Sequence, residues 1–271
     1  MSVTPAWQTD FDMARACLEW QFEMGVDEAI CDAPIDRYAL DAAPVPKPAV
    51  KPSVTAPTPD AAPIATPDAD PVAEATQMAA QAQDLDALAA ALSAYPHCDL
   101  KLGARNLVFA DGRAGARVMI VGEAPGREED MRGRPFVGEA GQLLDRMLKA
   151  IGVARDHPDL GRAVYITNIL PWRPPQNRDP SPEERAMMRP FVLRHIALAA
   201  PDILVLMGRI SASTLLGSKD GITKIRGQWR EVAGIPALPM LHPAYLLRNP
   251  AAKRETWADL LALQARLRTM T

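Results

Sequence analysis

Cysteine is scarce in this chain, with Cys17, Cys31 and Cys98 the only three in 271 residues. No two lie close together, which excludes a disulfide framework and a Cys-x-x-Cys metal knuckle. Aromatic residues are few, 5% of the total. No run approaches 18 consecutive apolar residues, so no transmembrane helix is expected. Residues 1–10 hold neither a basic stretch nor an apolar one, so no secretory leader is expected either. These absences describe a cytoplasmic protein of a reducing compartment. Charge of one sign is also lacking overall, with 30 Lys+Arg against 33 Asp+Glu. The balance hides an asymmetry: residues 1–100 carry a net charge of −12, which leaves +9 for residues 101–271. A basic C-terminal part suits a phosphate-rich partner, because each neutralised phosphate releases counterions. A merely solvated basic surface is an equal reading of the charge alone.

Proline is abundant, 26 residues in all, and nine of them fall between positions 44 and 71 among Ala, Val, Thr and Asp. Such a stretch cannot bury enough apolar area to offset its ordering entropy, so residues 41–75 read as an extended Pro/Ala-rich linker. Before it, Trp7, Phe11, Ala14, Leu18 and Phe22 recur at helical spacing. Residues 1–40 therefore read as an N-terminal amphipathic helical extension. A lone helix that short is marginal in water, so it docks on its own domain or on a partner protein.

Residues 76–271 read as a compact α/β domain. Helices are expected over 74–94, 141–151, 181–199, 210–216 and 252–267, and strands over 118–121, 164–166, 203–206, 229–232 and 237–241. Short apolar strands alternating with helices predict an α/β fold with a parallel sheet covered by helices on both faces. Ligands of such sheets bind beyond the C-terminal strand ends.

Four stretches sit at those ends. Gly122-Glu123-Ala124-Pro125-Gly126 follows the first strand, with Glu128, Glu129 and Asp130 behind it. It lacks both Walker and GxGxxG spacing, and its carboxylates would repel phosphate. It suits stabilising a cation or activating a water, or it is a solvated acidic turn. Gly133-Arg134-Pro135-Phe136-Val137-Gly138 holds an aromatic between proline and glycines, a stacking platform or a core residue. Thr167-Asn168 ends the second strand, where an Asn offers a donor and an acceptor to a base edge or simply forms a turn. His242-Pro243-Ala244-Tyr245 follows the last strand, its histidine either a ligand-facing donor or a capped core residue.

In order and spacing these stretches resemble the family 4 uracil-DNA glycosylases, together with Arg173-Pro174-Pro175-Gln176-Asn177-Arg178. The resemblance runs from about residue 100 to the C-terminus. It implies a three-layer α/β/α fold around a central, mostly parallel four-stranded sheet, and an enzyme of base-excision repair that extrudes deoxyuridine from DNA and hydrolyses its N-glycosidic bond. Catalysis then falls to Glu123, Glu129, Asn168 and His242, with one of the two glutamates handling the water and steadying the sugar cation. Gly122, Ala124, Phe136, Asn168 and His242 would form the uracil pocket, Phe136 stacking on the base. Asn168 would read N3 and O4, and His242 would donate toward O2. The segment Tyr245, Leu246, Leu247 and Arg248 would enter the minor groove or hold phosphate, with Leu246 or Leu247 as the wedge. Lys224, Arg226 and Arg230 would contact phosphates.

The family typically carries a 4Fe-4S cluster on four cysteines. Here Cys98 keeps the first ligand position, while Lys101, Trp172 and Met188 stand at the other three. These side chains cannot replace thiolates, so no cluster and no other metal are expected. The loop over 171–182 has no histidine, so covalent capture of DNA is not expected. DNA, single- or double-stranded, is the implied partner of a monomeric enzyme, with no membrane. The N-terminal helix, where it does not dock on its own domain, would serve a repair or replication protein. Two other readings share these residues: an inactive DNA-binding accessory, and a glycosylase for hypoxanthine or xanthine.

Overall fold

The computed structural model describes Arg15 and residues 70–270. The helical extension and most of the linker lie outside the described residues. The chain divides into two units, Met1–Pro63 and Ile64–Thr271, and the α/β domain is the second.

The domain opens with α1 (Pro71–Gln81) and α2 (Leu85–Ala94). A single helix was expected over 74–94. Instead the chain breaks at residues 82–84, because Asp84 takes extended backbone and its carboxylate accepts the Ala87 N–H at 2.7 Å, capping a new helix. Arg194 holds the break by donating twice to the Ala82 carbonyl, at 2.9 and 2.6 Å. The expected linker also ends earlier than residue 75. Pro71 occupies the first turn of α1, where its missing N–H costs nothing, and Ala75 is fully buried.

The remaining elements are α3 (Leu100–Gly103), β1 (Asp111–Gly112), β2 (Val118–Gly122), α4 (Arg127–Arg132), α5 (Glu139–Ala150), β3 (Val164–Asn168) and α6 (Pro182–Ala199). They are followed by β4 (Ile203–Met207), α7 (Gly208–Leu216), α8 (Ile222–Ile225), β5 (Arg230–Val232), β6 (Ile235–Met240), α9 (Pro243–Arg248) and α10 (Lys253–Thr269). The sheet has six strands in the order β1-β3-β2-β4-β6-β5. Its inner four, β3-β2-β4-β6, are parallel, and the short β1 and β5 close the two edges antiparallel. The expected four-stranded parallel sheet is thus the centre of a wider one.

Successive residues of the inner strands serve opposite faces. Val118 and Ile120 join Leu144 and Leu148 of α5 and Leu260 and Leu263 of α10 in one core. Met119 and Val121 join Leu88 of α2, Phe191 and Ile196 of α6 and Leu215 of α7 in the other. Burial on both faces is why the strands read as unbroken apolar runs. Among the described residues no helix is long and apolar enough to cross a membrane.

The chain leaves β2 for β3 on one side and then returns past β2 to β4 on the other. The C-terminal end of β2 is therefore a topological switch point, where strand-end loops diverge and leave a crevice.

Candidate active site

A cleft of about 380 Å³ opens at that crevice. It is lined by Glu123 and Ala124 after β2, Glu129 of α4, Phe136, Asn168 at the end of β3, and His242 after β6. Segments far apart in sequence meet here because β2 and β3 are register neighbours, Gly122 pairing with Asn168. The backbone then locks the two ends together, as Ile169 and Leu170 donate to the carbonyls of Gly122 and Glu123, both at 3.0 Å.

Gly122 is required by closeness rather than by backbone angle. A Cβ there would overlap Asn168 Oδ1 and lie 2.6 Å from Phe136 Cε2. The missing side chain is what lets the amide and the ring converge on one small volume. Asn168 is 5% exposed, and its Oδ1 has no hydrogen-bond partner among the described residues. A buried unmet acceptor costs about 1–3 kcal/mol, a cost that a ligand N–H would relieve.

Phe136 sits in left-handed backbone, φ 54°, unusual for an aromatic residue. Arg155 keeps it there by donating to the carbonyls of Pro135 at 3.1 Å and Phe136 at 2.9 Å, while its charge is met by Asp111 and Asp145. On the far side, Gly141 of α5 lies against the Phe136 carbonyl so closely that any Cβ would collide with it. The ring stacks with His242, centroids 5.3 Å apart and planes 28° from parallel.

His242 accepts the Ala244 N–H on Nδ1 at 3.2 Å. An accepting Nδ1 puts the proton of a neutral imidazole on Nε2. Burial, aided by Arg248 and opposed by Glu129, lowers the His242 pKa from 6.5 to about 4, so the ring is neutral at pH 7. It is a fixed neutral donor.

The two glutamates differ in their partners. Glu129 Oε1 accepts the backbone N–H groups of Val137 and Gly138, both at 2.9 Å, and so fastens the Phe136 turn and the start of α5. The Glu123 carboxylate has no hydrogen bond or ion pair to another described residue. Burial raises its pKa above the ordinary carboxylate value, Asp179 adds to the rise, and Arg209 and Arg185 oppose it.

Several of the residues expected at DNA have partners within the protein or are buried. Arg226 is bound to Asp259 and Glu255 and ties α8 to α10, so its guanidinium is spent inside the protein. Lys224 pairs with Asp220, and Arg230 with Gln228. Leu246 cannot be a wedge in this conformation: it is 1% exposed and packed with Leu241 and Ala252. The reason is that residues 243–248 form α9 rather than a loop, and the helix turns Leu246 inward. Tyr245 and Arg248 do line the cleft, and Leu247 stays half-buried beside them.

Asn177, Arg178 and Asp179 also line the cleft, unforeseen as site residues. Arg178 grips Glu184 with both nitrogens at 2.6 and 2.9 Å, and Glu184 completes a capping box with Ser181 at the start of α6. The Ser-x-x-Glu spacing was the signal that could have located this rim.

The four positions at which the family carries cluster cysteines have other surroundings here. Cys98 is fully buried, Trp172 and Met188 pack in the same apolar core, and Lys101 Nζ donates to the Tyr95 carbonyl at 2.6 Å. Among the described residues no three His, Cys, Asp or Glu side chains converge as a metal site. One thiol, one ammonium and two apolar side chains do not fit an iron–sulfur cluster.

Residues 109–261 match the Uracil DNA glycosylase superfamily. A type-4 uracil-DNA glycosylase from Thermotoga maritima is 43% identical over 156 residues, covering 56% of this chain and 77% of that protein. One from Archaeoglobus fulgidus is 36% identical over 185 residues, covering 65% and 90%. A type-5 uracil-DNA glycosylase from Pyrobaculum aerophilum is 31% identical over 163 residues, covering 55% and 71%. The matched segment spans more than half of the chain and contains the whole crevice from Glu123 to His242; this chain belongs to the uracil-DNA glycosylase superfamily.

Proposed function

We propose that the protein is a type-4-like uracil-DNA glycosylase that hydrolyses the N-glycosidic bond of deoxyuridine and leaves an abasic site in base-excision repair. The observation that carries this reading is the unmet, buried Oδ1 of Asn168, a residue that lines the cleft together with Phe136 and His242. Uracil supplies the matching N3–H, whereas cytosine presents an acceptor at N3. The extruded base lies against Phe136, and unstacking it from the duplex costs roughly a few kcal/mol.

As the C1′–N1 bond breaks, its electron pair moves onto the leaving uracil and positive charge grows on the sugar. His242 Nε2–H donates toward O2, where the negative charge collects. A neutral donor does this without leaving a cation buried in the pocket. Glu123 stabilises the sugar cation and takes the proton of the water that bonds to C1′. Glu129 acts through the backbone, as a positioning residue for Phe136. Tyr245, Leu247 and Arg248 face the DNA, with Leu247 the remaining candidate wedge.

The enzyme works as a monomer, since one chain supplies the whole site, and in the cytoplasm with the nucleoid as its substrate. It uses no iron–sulfur cluster, because Trp172 and Met188 occupy apolar core where thiolates would be needed.

The test is excision of uracil from labelled single-stranded and U:G oligonucleotides, with absorbance near 400 nm read on the same preparation. Cleavage is expected with no iron band, and Asn168→Ala should abolish cleavage while barely changing affinity for undamaged DNA. A wild-type protein that binds DNA and never cleaves uracil would make it an accessory binder instead. Stoichiometric iron and sulfide would overturn the cluster-free reading.

A further inference from the structure

Helix α9 has two working sides. Ala244, Tyr245 and Arg248 line the cleft, while Leu246 points the other way into a second groove between α5 and α10. That groove is about 460 Å³, with Leu143, Met147 and Leu260 in its floor. Trp257 stands in its wall, 42% exposed, a large apolar ring left in water on a helix whose other large residues are mostly buried. Arg146, Lys253 and Arg254 rim it, all exposed. None of the three has a hydrogen bond or ion pair to another described residue.

Cations of a folded domain usually find carboxylates or helix C-termini. Several arginines of this domain do, as Arg117, Arg155, Arg178, Arg209 and Arg226 show. Lys253 and Arg254 instead open α10 at its N-terminal end, where the helix dipole disfavours positive charge. Three unpaired cations around one exposed tryptophan match a strand of nucleic acid: phosphates to the cations, and a base stacked on the indole. An acidic peptide would satisfy the cations as well. Continuity decides between them, because the groove adjoins the cleft through the six residues of α9, so a strand whose uracil occupies the cleft is already beside it.

We propose that Trp257, Arg146, Lys253 and Arg254 form a flanking-strand subsite that binds single-stranded DNA next to the extruded nucleotide. This rests on the reading of the cleft as a uracil-DNA site, and it adds a sequence-independent contact that the catalytic residues do not supply.

The experiment uses the full chain and a fluorescein-labelled twenty-nucleotide oligothymidylate. Because this probe contains no uracil, its binding is read independently of excision, and failure of one reading is distinguishable from failure of the other. Trp257→Ala should weaken binding about 5-fold or more, the loss expected of one stacked base, and Trp257→Phe should restore most of it. The triple charge reversal Arg146→Glu, Lys253→Glu, Arg254→Glu lies wholly on the surface and should leave the melting curve in place. It should lower the slope of log affinity against log salt by about 2, at roughly 0.7 per lost phosphate contact. An unchanged slope, with wild-type affinity in both the triple variant and Trp257→Ala, would overturn the subsite. So would a groove that binds a labelled acidic amphipathic helical peptide through these residues while oligothymidylate binding ignores them.

Discussion

Glu123 and Glu129 lie six residues apart, one after β2 and the other in α4, and their side chains meet opposite fates. Glu129 is consumed by two backbone N–H groups, while Glu123 is left desolvated and without a hydrogen-bonding partner. Burial holds the Glu123 pKa above the ordinary carboxylate value, so the folded protein binds that proton more tightly than the unfolded chain does. The stability linked to the group is present below the ordinary carboxylate pKa and is lost as pH rises through the raised one. At neutral pH the ionised Glu123 therefore weakens the fold. Glu123→Gln should raise Tm at pH 7, with the difference from wild type closing near pH 4, while excision falls about 10²–10⁴-fold. Scanning calorimetry at the two pH values, paired with single-turnover excision, checks this, and a lower Tm at pH 7 would contradict it. The acid limb of the wild-type rate should report Glu123, since His242 protonates only near pH 4. The sequence showed that both glutamates were present. It could not divide their roles, because what separates them is which carboxylate the Phe136 turn folds against.

The short helices are where local reading failed. Helices α4 and α9 have six residues each, under two turns, too few for an apolar period to show. Neither was expected as a helix, and Leu246 was offered as a wedge by the family resemblance, without regard to the side it would take on a helix. Longer elements with a strong signal were legible: α6 starts one residue after Ser181, whose capping box with Glu184 marks the place in sequence. Helix α5 has no such local cap. Its N-cap is Gly138, and Glu129 supplies the missing acceptor from α4. Glu129→Ala should thus free two N–H groups, cost about 1–3 kcal/mol, and raise KM more than it lowers kcat by loosening Phe136. Glu129→Gln keeps an acceptor oxygen, and its excision should fall by no more than about tenfold, the margin between a charged and a neutral acceptor. A loss with Glu129→Gln as deep as with Glu123→Gln would move the water to Glu129. Urea unfolding and steady-state kinetics on the three variants decide it.

Across the described domain the sheet separates two cores, and a histidine is buried on the α6 side. His195 is 3% exposed, stacks on Phe109 at 4.4 Å and shares a 2.9 Å hydrogen bond with the Tyr165 hydroxyl. Burial lowers its pKa from 6.5 to about 4, as it does for His242. A histidine whose folded pKa lies below its unfolded value favours the native state at high pH, and that advantage is lost as pH falls from about 6.5 toward 4. For His195 the shift corresponds to roughly 3 kcal/mol. The domain should lose stability steadily over this window, and His195→Gln, which keeps a partner for Tyr165, should flatten the loss. Equal pH slopes for the variant and wild type in urea unfolding would show that His195 is not the titrating group.

The α/β class, the order of the main strands and helices, and the residue types of the cleft were legible in the order of amino acids. These follow from apolar runs, capping residues and motif spacing, all of them local. Tertiary structure alone decided that Arg226 is locked to Asp259, that Leu246 faces inward, that Glu123 is left without a partner, and that Trp257 gathers three unpaired cations. Each of those depends on which distant side chain arrives within a few ångströms. That is set by the pairing of β2 with β3 and β4 and by helix packing on the two faces of the sheet, neither of which is written in any short stretch of chain.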